Sequence, residues 1–384
     1  MKALFLKAIE KLKSYNYRHI NGRLLIWVYA LLVLGLNVIS SATVNSETNY
    51  EGKQIFGIVV GTIVMLILMF FDYHFVLKFY WLIYLFNLGL LLAVKLFGED
   101  HKGAQRWLDI GPIQLQPSEF CKIFLVLFFA KLMLKYKHKL NTPKILLLFV
   151  MSFAIPLLLV LKQPDLSTSI VICISFCVIM YIGGLSYKII GGLLAAAIPA
   201  VVILVYLLMQ PDQKILDDYQ YNRLIGFYDE DNEIAEAINY QQTNSLMAIG
   251  SGGLWGKGLH NDREDSVKNG NYISEAQTDF IFTIVGEELG FVGTMTVIVL
   301  ILLVIIECFY MGAHAPDIGG RIICCGVGGI IAFQSFVNMG VATRLLPNTG
   351  LPLPFVSYGL SSLLSLMIGM GVVMNVGLQH KKLF

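Results

Sequence analysis

The chain has 384 residues, of which 56% are hydrophobic and only 14% charged. A soluble domain of that size cannot cover so much apolar surface, and apolar runs long enough to cross a bilayer recur from Leu24 to Leu378. The formal net charge of +2 is too small to signal a polyanionic partner, and no nucleic-acid partner is expected. The composition is that of an all-α, multi-pass integral membrane protein.

Residues 1–23, MKALFLKAIEKLKSYNYRHINGR, are basic and weakly amphipathic, too polar for a signal peptide, and read as an interfacial cytoplasmic leader. About ten spans follow within residues 24–378. The first four are expected near Leu24–Val44, Gln54–Phe71, Phe75–Phe97 and Glu119–Leu134. Three more lie near Lys144–Leu161, Leu166–Leu185 and Lys188–Met209, and the last three near Phe280–Tyr310, Arg321–Ala342 and Gly359–Leu378. The leader, the loop KYKHKLNTPK (135–144) and the HKK of the 379–384 tail are basic and fall on one side, which makes both termini cytoplasmic. The acidic NSETNYE (45–51) then lies outside. A large extracytoplasmic loop, 210–277, separates spans seven and eight and contains the glycine cluster AIGSGGLWGKGL (248–259). Its apolar, glycine-rich centre argues for partial order and re-entry toward the membrane, against a flexible tether. All six cysteines fall inside predicted spans and read as buried packing thiols, neither a disulfide framework nor a metal site.

Four polar segments interrupt this apolar background. In EAQTDFIFTIVGEELG (275–290), helical spacing puts Asp279 on one stripe with Thr283, Gly286, Gly290 and Gly293. Small residues at that spacing allow close helix approach, so Asp279 is expected to face the protein interior or a lined cavity. A carboxylate so placed is a functional candidate, whereas Glu287 and Glu288 read as structural ion-pair partners. In GAQRWLDIGPIQLQPSEFCK (103–122), Arg106 and Trp107 are assigned to an outer loop, and Pro117 to the first turn of a helix whose free N–H groups Ser118 and Glu119 satisfy. Glu119 and Lys122, three residues apart, suit either a local ion pair or a functional pair; Lys122, followed by IFLVLFFA, has the less ordinary setting. LKQPDLSTS (161–169) places Lys162 and Asp165 in a turn between two apolar stretches. RLLPNTGLPLPFVSYGLSS (344–362) breaks the chain with proline and glycine at membrane depth, which is tolerated only against protein or a wet cavity. Arg344 at its entrance suits anion binding or headgroup anchoring. All four segments face the outer side. A carboxylate with Arg106, Lys122, Lys257 and Arg344 suits a lipid-linked anionic substrate, the cations holding a diphosphate and apolar helix faces the tail. No G-x-x-x-x-G-K-[ST] loop occurs, which argues against nucleotide-driven transport.

These motifs together resemble the shape, elongation, division and sporulation family of bacterial membrane proteins, the RodA/FtsW-type peptidoglycan glycosyltransferases. GAQRWLDIG, QPSEFCK, QPDLST, AIGSGGLWGKG, EAQTDFIFTIVGEELG and TGLPLPFVSYG appear in order between about Trp27 and Val376. GAQRW, GKGL and LPLPFVSYG lean toward the RodA branch. Ser274 and Gln277 stand where the family usually has Pro and His, Ser167 where it has Gly, and Leu360 where it has a second Gly.

The resemblance implies a bacterial inner-membrane enzyme that polymerises lipid II onto a nascent glycan strand at the outer leaflet. The 4-hydroxyl of incoming lipid II attacks the anomeric carbon that bears undecaprenyl diphosphate, inverting an α-linkage to β-1,4. Asp279 matches the family's general base, and Arg106, Trp107, Glu119, Lys122, Asp165, Lys257 and Arg344 are expected around the substrate. A divalent cation, magnesium or manganese, is compatible with the diphosphate, although no dedicated ligand cluster stands in the sequence. Crosslinking is assigned to a class B penicillin-binding transpeptidase partner, because S-x-x-K and K-T-G motifs are absent. A lipid II flippase and a non-catalytic scaffold are the competing readings.

Overall fold

The computed structural model describes residues 20–101, 104–111, 113–163, 165–193, 233–261 and 272–379, with a few single positions in the intervening stretches. Most of the leader, most of the span expected at Lys188–Met209, residues 210–232 of the outer loop and the last five residues lie outside the described residues. The helices are α1 (Gly22–Ala42), α2 (Tyr50–Phe70), the short α3 (Tyr73–Lys78), α4 (Tyr80–Phe97), α5 (Pro117–Tyr136), α6 (Pro143–Leu161), α7 (Leu166–Ile182), α8 (Glu233–Ser251), α9 (Ile281–Ala313), α10 (Ile318–Ala342) and α11 (Leu360–Leu378). Seven of them, α1, α2, α4, α6, α9, α10 and α11, are long and apolar enough to cross a membrane. α7 is apolar but shorter, and α5 carries Glu119, Lys122, Lys131 and Lys135 within its 20 residues. The protein is an all-α multi-pass membrane protein.

Helix starts follow the local chemistry. Asn21, Asn49, Asp72, Asp165 and Asp317 each accept a backbone N–H in the first turn that follows. Pro117 and Pro143 open α5 and α6, where a missing N–H costs nothing. α10 packs against α9, α7 and α5, and α11 lies along α2. These two helices are enclosed on nearly every face. α4 buries a single stripe (Tyr84, Asn87, Leu91, Val94) and turns the rest of its apolar surface out of the bundle. Of the six thiols, Cys121, Cys308, Cys324 and Cys325 are buried, Cys173 is half-buried and Cys177 is exposed, so the packing role expected for all six does not extend to Cys177.

Two elements differ from the sequence expectation. The stretch assigned to an outer loop around Arg106 and Trp107 is an antiparallel meander, β1 (Glu99–His101), β2 (Ala104–Ile110) and β3 (Ile113–Leu115), with Leu108 opposite Leu115 and Ile110 opposite Ile113. The strands satisfy one another's backbone groups across the two pairings, in a stretch where no helical periodicity is sustained. The second difference concerns α9. It starts at Ile281, so Asp279 precedes the helix, and it is interrupted at Gly290 (φ 66°, ψ −160°). The helical stripe expected to join Asp279 to Gly290 and Gly293 therefore does not exist.

The interruption strands backbone groups, and the glycine cluster satisfies them. Lys257 N and Gly258 N donate to the carbonyls of Glu287 and Glu288, each at 2.9 Å, while Phe291 N and Val292 N donate to Gly253 O (2.8 Å) and Leu254 O (3.2 Å). The approach is close enough to exclude side chains. A Cβ on Gly256 would lie 2.1 Å from Glu288 O, and one on Gly290 would lie 2.4 Å from Gly256 N. The segment expected to be ordered is thus a clamp on the break. Gly256→Ala, at φ 78° with that clash, is expected to destabilise the protein by at least about 2 kcal/mol. Gly89→Ala, with nothing within 4 Å of the new methyl, is expected to be neutral or mildly stabilising. Thermal unfolding of both variants in detergent measures the contrast.

At the opposite end of the bundle, His74 joins two turns. Its Nε2 lies 2.7 Å from Asp317 Oδ2 and its Nδ1 3.1 Å from Asp72 Oδ1, and Gln379 Nε2 donates to the same Asp72 oxygen at 2.8 Å. Both ring nitrogens face carboxylate oxygens, so the imidazolium is the favoured form, and the hydrogen bonds to Asp317 and then Asp72 raise its pKa to about 9. Burial opposes the charge on Asp317, but the His74 contact holds that carboxyl below its usual value. A histidine with a raised folded pKa contributes its full stability below its unfolded value of about 6.5 and loses it as pH climbs through the folded value. The melting temperature is accordingly expected to fall between pH 7 and pH 10, with a flatter profile in His74→Gln.

Candidate active site

At the end of the bundle that carries the β-meander, a cleft of about 540 Å³ opens. Its walls come from four places. The meander and the residue after it supply Arg106, Trp107, Gln114 and Gln116; the turn before α9 supplies Ser274, Glu275, Thr278, Asp279 and Phe280. The break between α10 and α11 supplies Asn348, Gly350, Pro352 and Tyr358 through Ser362 apart from Leu360, and α8 adds Gln241. Charge among these residues is confined to Arg106, Glu275 and Asp279. The rest present amides, hydroxyls, two rings that carry a polar group, and little aliphatic surface, which is a lining suited to a polyhydroxylated ligand beside an anion.

The turn bearing Asp279 is held by its backbone. Three successive carbonyls each accept from a different donor: Gln277 O from Tyr358 N (2.9 Å), Thr278 O from Ser357 Oγ (2.6 Å) and Asp279 O from Asn338 Nδ2 (2.8 Å). Asn338 Nδ2 also donates to Leu351 O at 2.7 Å, and Ser357 Oγ accepts from Leu353 N at 2.7 Å. Asp279 is therefore fixed to α10 and to the proline-rich break together, its carboxylate half-buried on the cleft wall.

Of the residues expected around a substrate, Arg106, Trp107 and Asp279 line the cleft. Glu119 and Lys122 do not. They form a fully buried pair at 2.9 Å on α5, and Lys122 Nζ also donates to Gln334 Oε1 at 3.0 Å. Gln334 passes the connection on through Nε2 to Pro352 O (3.0 Å), so the pair braces the wall from behind. Asp165 is likewise one layer back: it caps α7 through Thr168 N and accepts from Ser118 Oγ (3.0 Å) and Gln116 Nε2 (3.2 Å). Ser118 is consequently spent on Asp165, not on the start of α5 as its position suggested. Lys257 is turned inward to Glu287 Oε1 at 2.9 Å. Glu288 accepts from Ser41 Oγ at 2.7 Å. Arg344 is half-buried at φ 56° and is not among the cleft-lining residues. The convergence of four cations thus reduces to Arg106 at the cleft, because Lys122 and Lys257 are each neutralised by a carboxylate within the protein. The neutral lining residues, Gln114, Gln241, Asn348 and Ser362 among them, had no sequence signal, since amides and hydroxyls in breaks between helices are ordinary.

The sequence profile of the FtsW/RodA/SpoVE family, described as cell cycle protein, matches residues 22–382. The chain belongs to this family. It is 35% identical to the peptidoglycan glycosyltransferase MrdB of Escherichia coli K12 over 95% of both chains. It is 30% identical to the probable peptidoglycan glycosyltransferase FtsW of Bacillus subtilis over 96% of this chain and 92% of that one. Among solved structures, the rod shape determining protein RodA of Thermus thermophilus superposes with a TM-score of 0.68 at 26% identity, covering 96% of this chain and 99% of that one. A chain from a peptidoglycan synthase complex that coordinates polymerization and crosslinking superposes with a TM-score of 0.77 at 26% identity, covering 93% and 97%.

Within the FtsW/RodA/SpoVE frame the local departures have structural counterparts. The Ser167 hydroxyl donates to Thr349 O, adding a tether between α7 and the proline-rich break that a glycine cannot make. Leu360 seats over Gly57 of α2, where a Cβ would lie 2.6 Å from the leucine methyl. Ser274 accepts from Gln241 Nε2, closing one corner of the cleft. The Asn338 amide is the brace common to Asp279 and Leu351. Asn338→Ala removes the amide that donates to the Asp279 and Leu351 carbonyls and is expected to cost about 1–3 kcal/mol, measured as a lowered unfolding temperature relative to Asn338→Gln.

Proposed function

We propose that this cleft is where the chain, a peptidoglycan glycosyltransferase, polymerises lipid II into β-1,4 glycan, with Asp279 as general base. The observation that carries the reading is that Asp279 and Arg106 line one open cleft whose remaining surface, Glu275 apart, is uncharged. The names of the MrdB and FtsW relatives, matched over almost the whole chain, support the activity.

The reaction needs one base, one charge acceptor and a hold on two sugars. Asp279 takes the proton from the 4-hydroxyl of the acceptor lipid II as that oxygen attacks the anomeric carbon of the donor strand. Attack comes from the face opposite the undecaprenyl diphosphate, the bond to the diphosphate breaks, and its electron pair leaves with the phosphate oxygen, so α becomes β. Arg106 meets the negative charge that gathers on the leaving group. Gln114, Gln241, Asn348 and Ser362 offer hydrogen bonds to sugar hydroxyls, and Trp107 and Tyr358 offer ring surfaces. Glu119, paired with Lys122, and Asp165, which caps α7, serve the reaction by holding the wall. Glu275 and Asp279 are the carboxylates of the described lining, and no three His, Cys, Asp or Glu gather among the described residues. Magnesium or manganese fits this cleft as a companion of the diphosphate, in the manner of an ion held by substrate phosphates and one or two carboxylates.

The basic 135–144 segment, at the end opposite the cleft, supports through the positive-inside rule the reading in which the cleft faces the outer leaflet and both termini the cytoplasm. The related chain of a complex that couples polymerization to crosslinking supports a class B penicillin-binding transpeptidase as partner. Asp279→Asn keeps size and hydrogen-bonding capacity but has no basic oxygen at neutral pH. It is expected to insert and bind the transpeptidase normally while losing on the order of 10²–10⁴-fold in polymerisation rate. Gel analysis of glycan strands made from purified lipid II by the purified complex provides the measurement. Near-normal polymer from Asp279→Asn refutes the base assignment, and lipid II movement in sealed vesicles without polymer from the wild type refutes the reaction.

A further inference from the structure

In water a loop shows its charges and covers its aromatic rings. The segment from Leu254 to Lys257 does the reverse. Leu254 is 64% exposed and Trp255 78% exposed, whereas the Lys257 side chain is 6% exposed and bound to the buried Glu287. Two glycines flank the Leu254–Trp255 pair, and backbone hydrogen bonds fasten the segment to α9 on both sides of it: Gly253 O accepts from Phe291 N before the pair, and Lys257 N donates to Glu287 O after it. The inversion is therefore built into the fold.

The same hydrogen bonds fix the level at which the pair stands. Phe291, first residue after the break in α9, is 58% exposed and heads an outward stripe with Met295, Val299, Leu302 and Ile306. From Phe291 to Ala313 the helix is roughly 35 Å long at 1.5 Å per residue, close to the ~30 Å of a hydrocarbon core. Phe291 thus stands at the edge of that core nearest the cleft, and Leu254 and Trp255 stand beside it. Leu246 and Met247, in the last turns of α8, are exposed as well and extend the apolar surface.

We infer that Leu254 and Trp255 are an interfacial anchor seated among the headgroups and first methylenes of the leaflet that the cleft faces, and that the occupant is phospholipid. An indole suits that layer, with an apolar body and an N–H that stays near water. The pair carries no charge and stands level with the end of a helix long and apolar enough to cross a membrane, which favours lipid as its occupant. The anchor sets the height of the glycine clamp, and the clamp sets the break in the helix that follows Asp279. The reactive turn is thereby held at a constant distance from the surface that delivers a lipid-linked substrate. The anchor rests on the bilayer-spanning reading of α9 and not on the role of Asp279.

The test uses full-length protein and Trp255→Phe, each reconstituted in nanodiscs of phosphatidylcholine and phosphatidylglycerol brominated at acyl carbons 6,7 or 11,12. Trp27, Trp81 and Trp107 are common to both proteins, so the difference in emission belongs to Trp255. That difference is expected to fall at least twofold with the 6,7 bromines, less with the 11,12 bromines, and to resist aqueous iodide. Quenching by iodide without quenching by bromine places the ring in water and overturns the anchor. Insensitivity to both places it under protein and overturns the anchor equally. Wild-type protein labelled with a diazirine-bearing phospholipid supplies a readout that needs no variant: adducts are expected within residues 246–257, and labelling that spares them overturns the proposal.

Discussion

Backbone polar groups near a bilayer must find partners inside the protein, because hydrocarbon offers none. The break at Gly290 concentrates that constraint at one point. Two carbonyls and two N–H groups leave the helical ladder there, and all four are taken up by residues 253–258. The bonding is possible only because Gly256 and Gly290 let the two backbones meet without an intervening Cβ. Everything on the cleft side depends on the result: the helix after the break spans, the turn before it is free to follow the cleft wall, and Asp279 belongs to that turn.

The charges obey a parallel rule. An ion inside the bundle is retained when its partner is inside as well, since an uncompensated buried charge costs several kcal/mol. Lys122 with Glu119 and Lys257 with Glu287 meet that condition. Such pairs are structural struts, and their net charge is zero as far as a substrate is concerned. Arg106 and Asp279 differ in that their elements, the central strand of the meander and a pre-helical turn, open onto the cleft. The electrostatic task of the site thereby falls on few groups, with amides and hydroxyls around them.

Support for those few groups is layered. Gln334 ties the Lys122 pair to Pro352, Gln116 and Ser118 tie Asp165 to the start of α5, and Asn338 ties the Asp279 turn to Leu351. Each link is a neutral side chain joining a charged or cleft-lining element to backbone carbonyl or carboxylate. Rigidity of this kind limits reorganisation when charge moves during glycosyl transfer, which is the circumstance in which fixed dipoles are most effective.

Membrane insertion, helix placement and the family were legible in the amino-acid sequence because they depend on local hydrophobicity and on motifs that survive as strings. Asp279 was legible as a candidate residue of the cleft but misplaced on a helix, since the run from Ile281 onward is so apolar that nothing marks where the helix begins or that it breaks at Gly290. The identity of the cleft cations could not be read at all from spacing. Whether a lysine faces a substrate or a glutamate is settled by which elements lie against it, and Lys257 meets Glu287, 30 positions further along the chain, only after the glycine cluster has docked on α9. Tertiary packing likewise decided that Gln114, Gln241 and Asn348 line one cleft, because neutral polar side chains on a strand, a helix and a break acquire a common purpose only when the bundle brings those elements together.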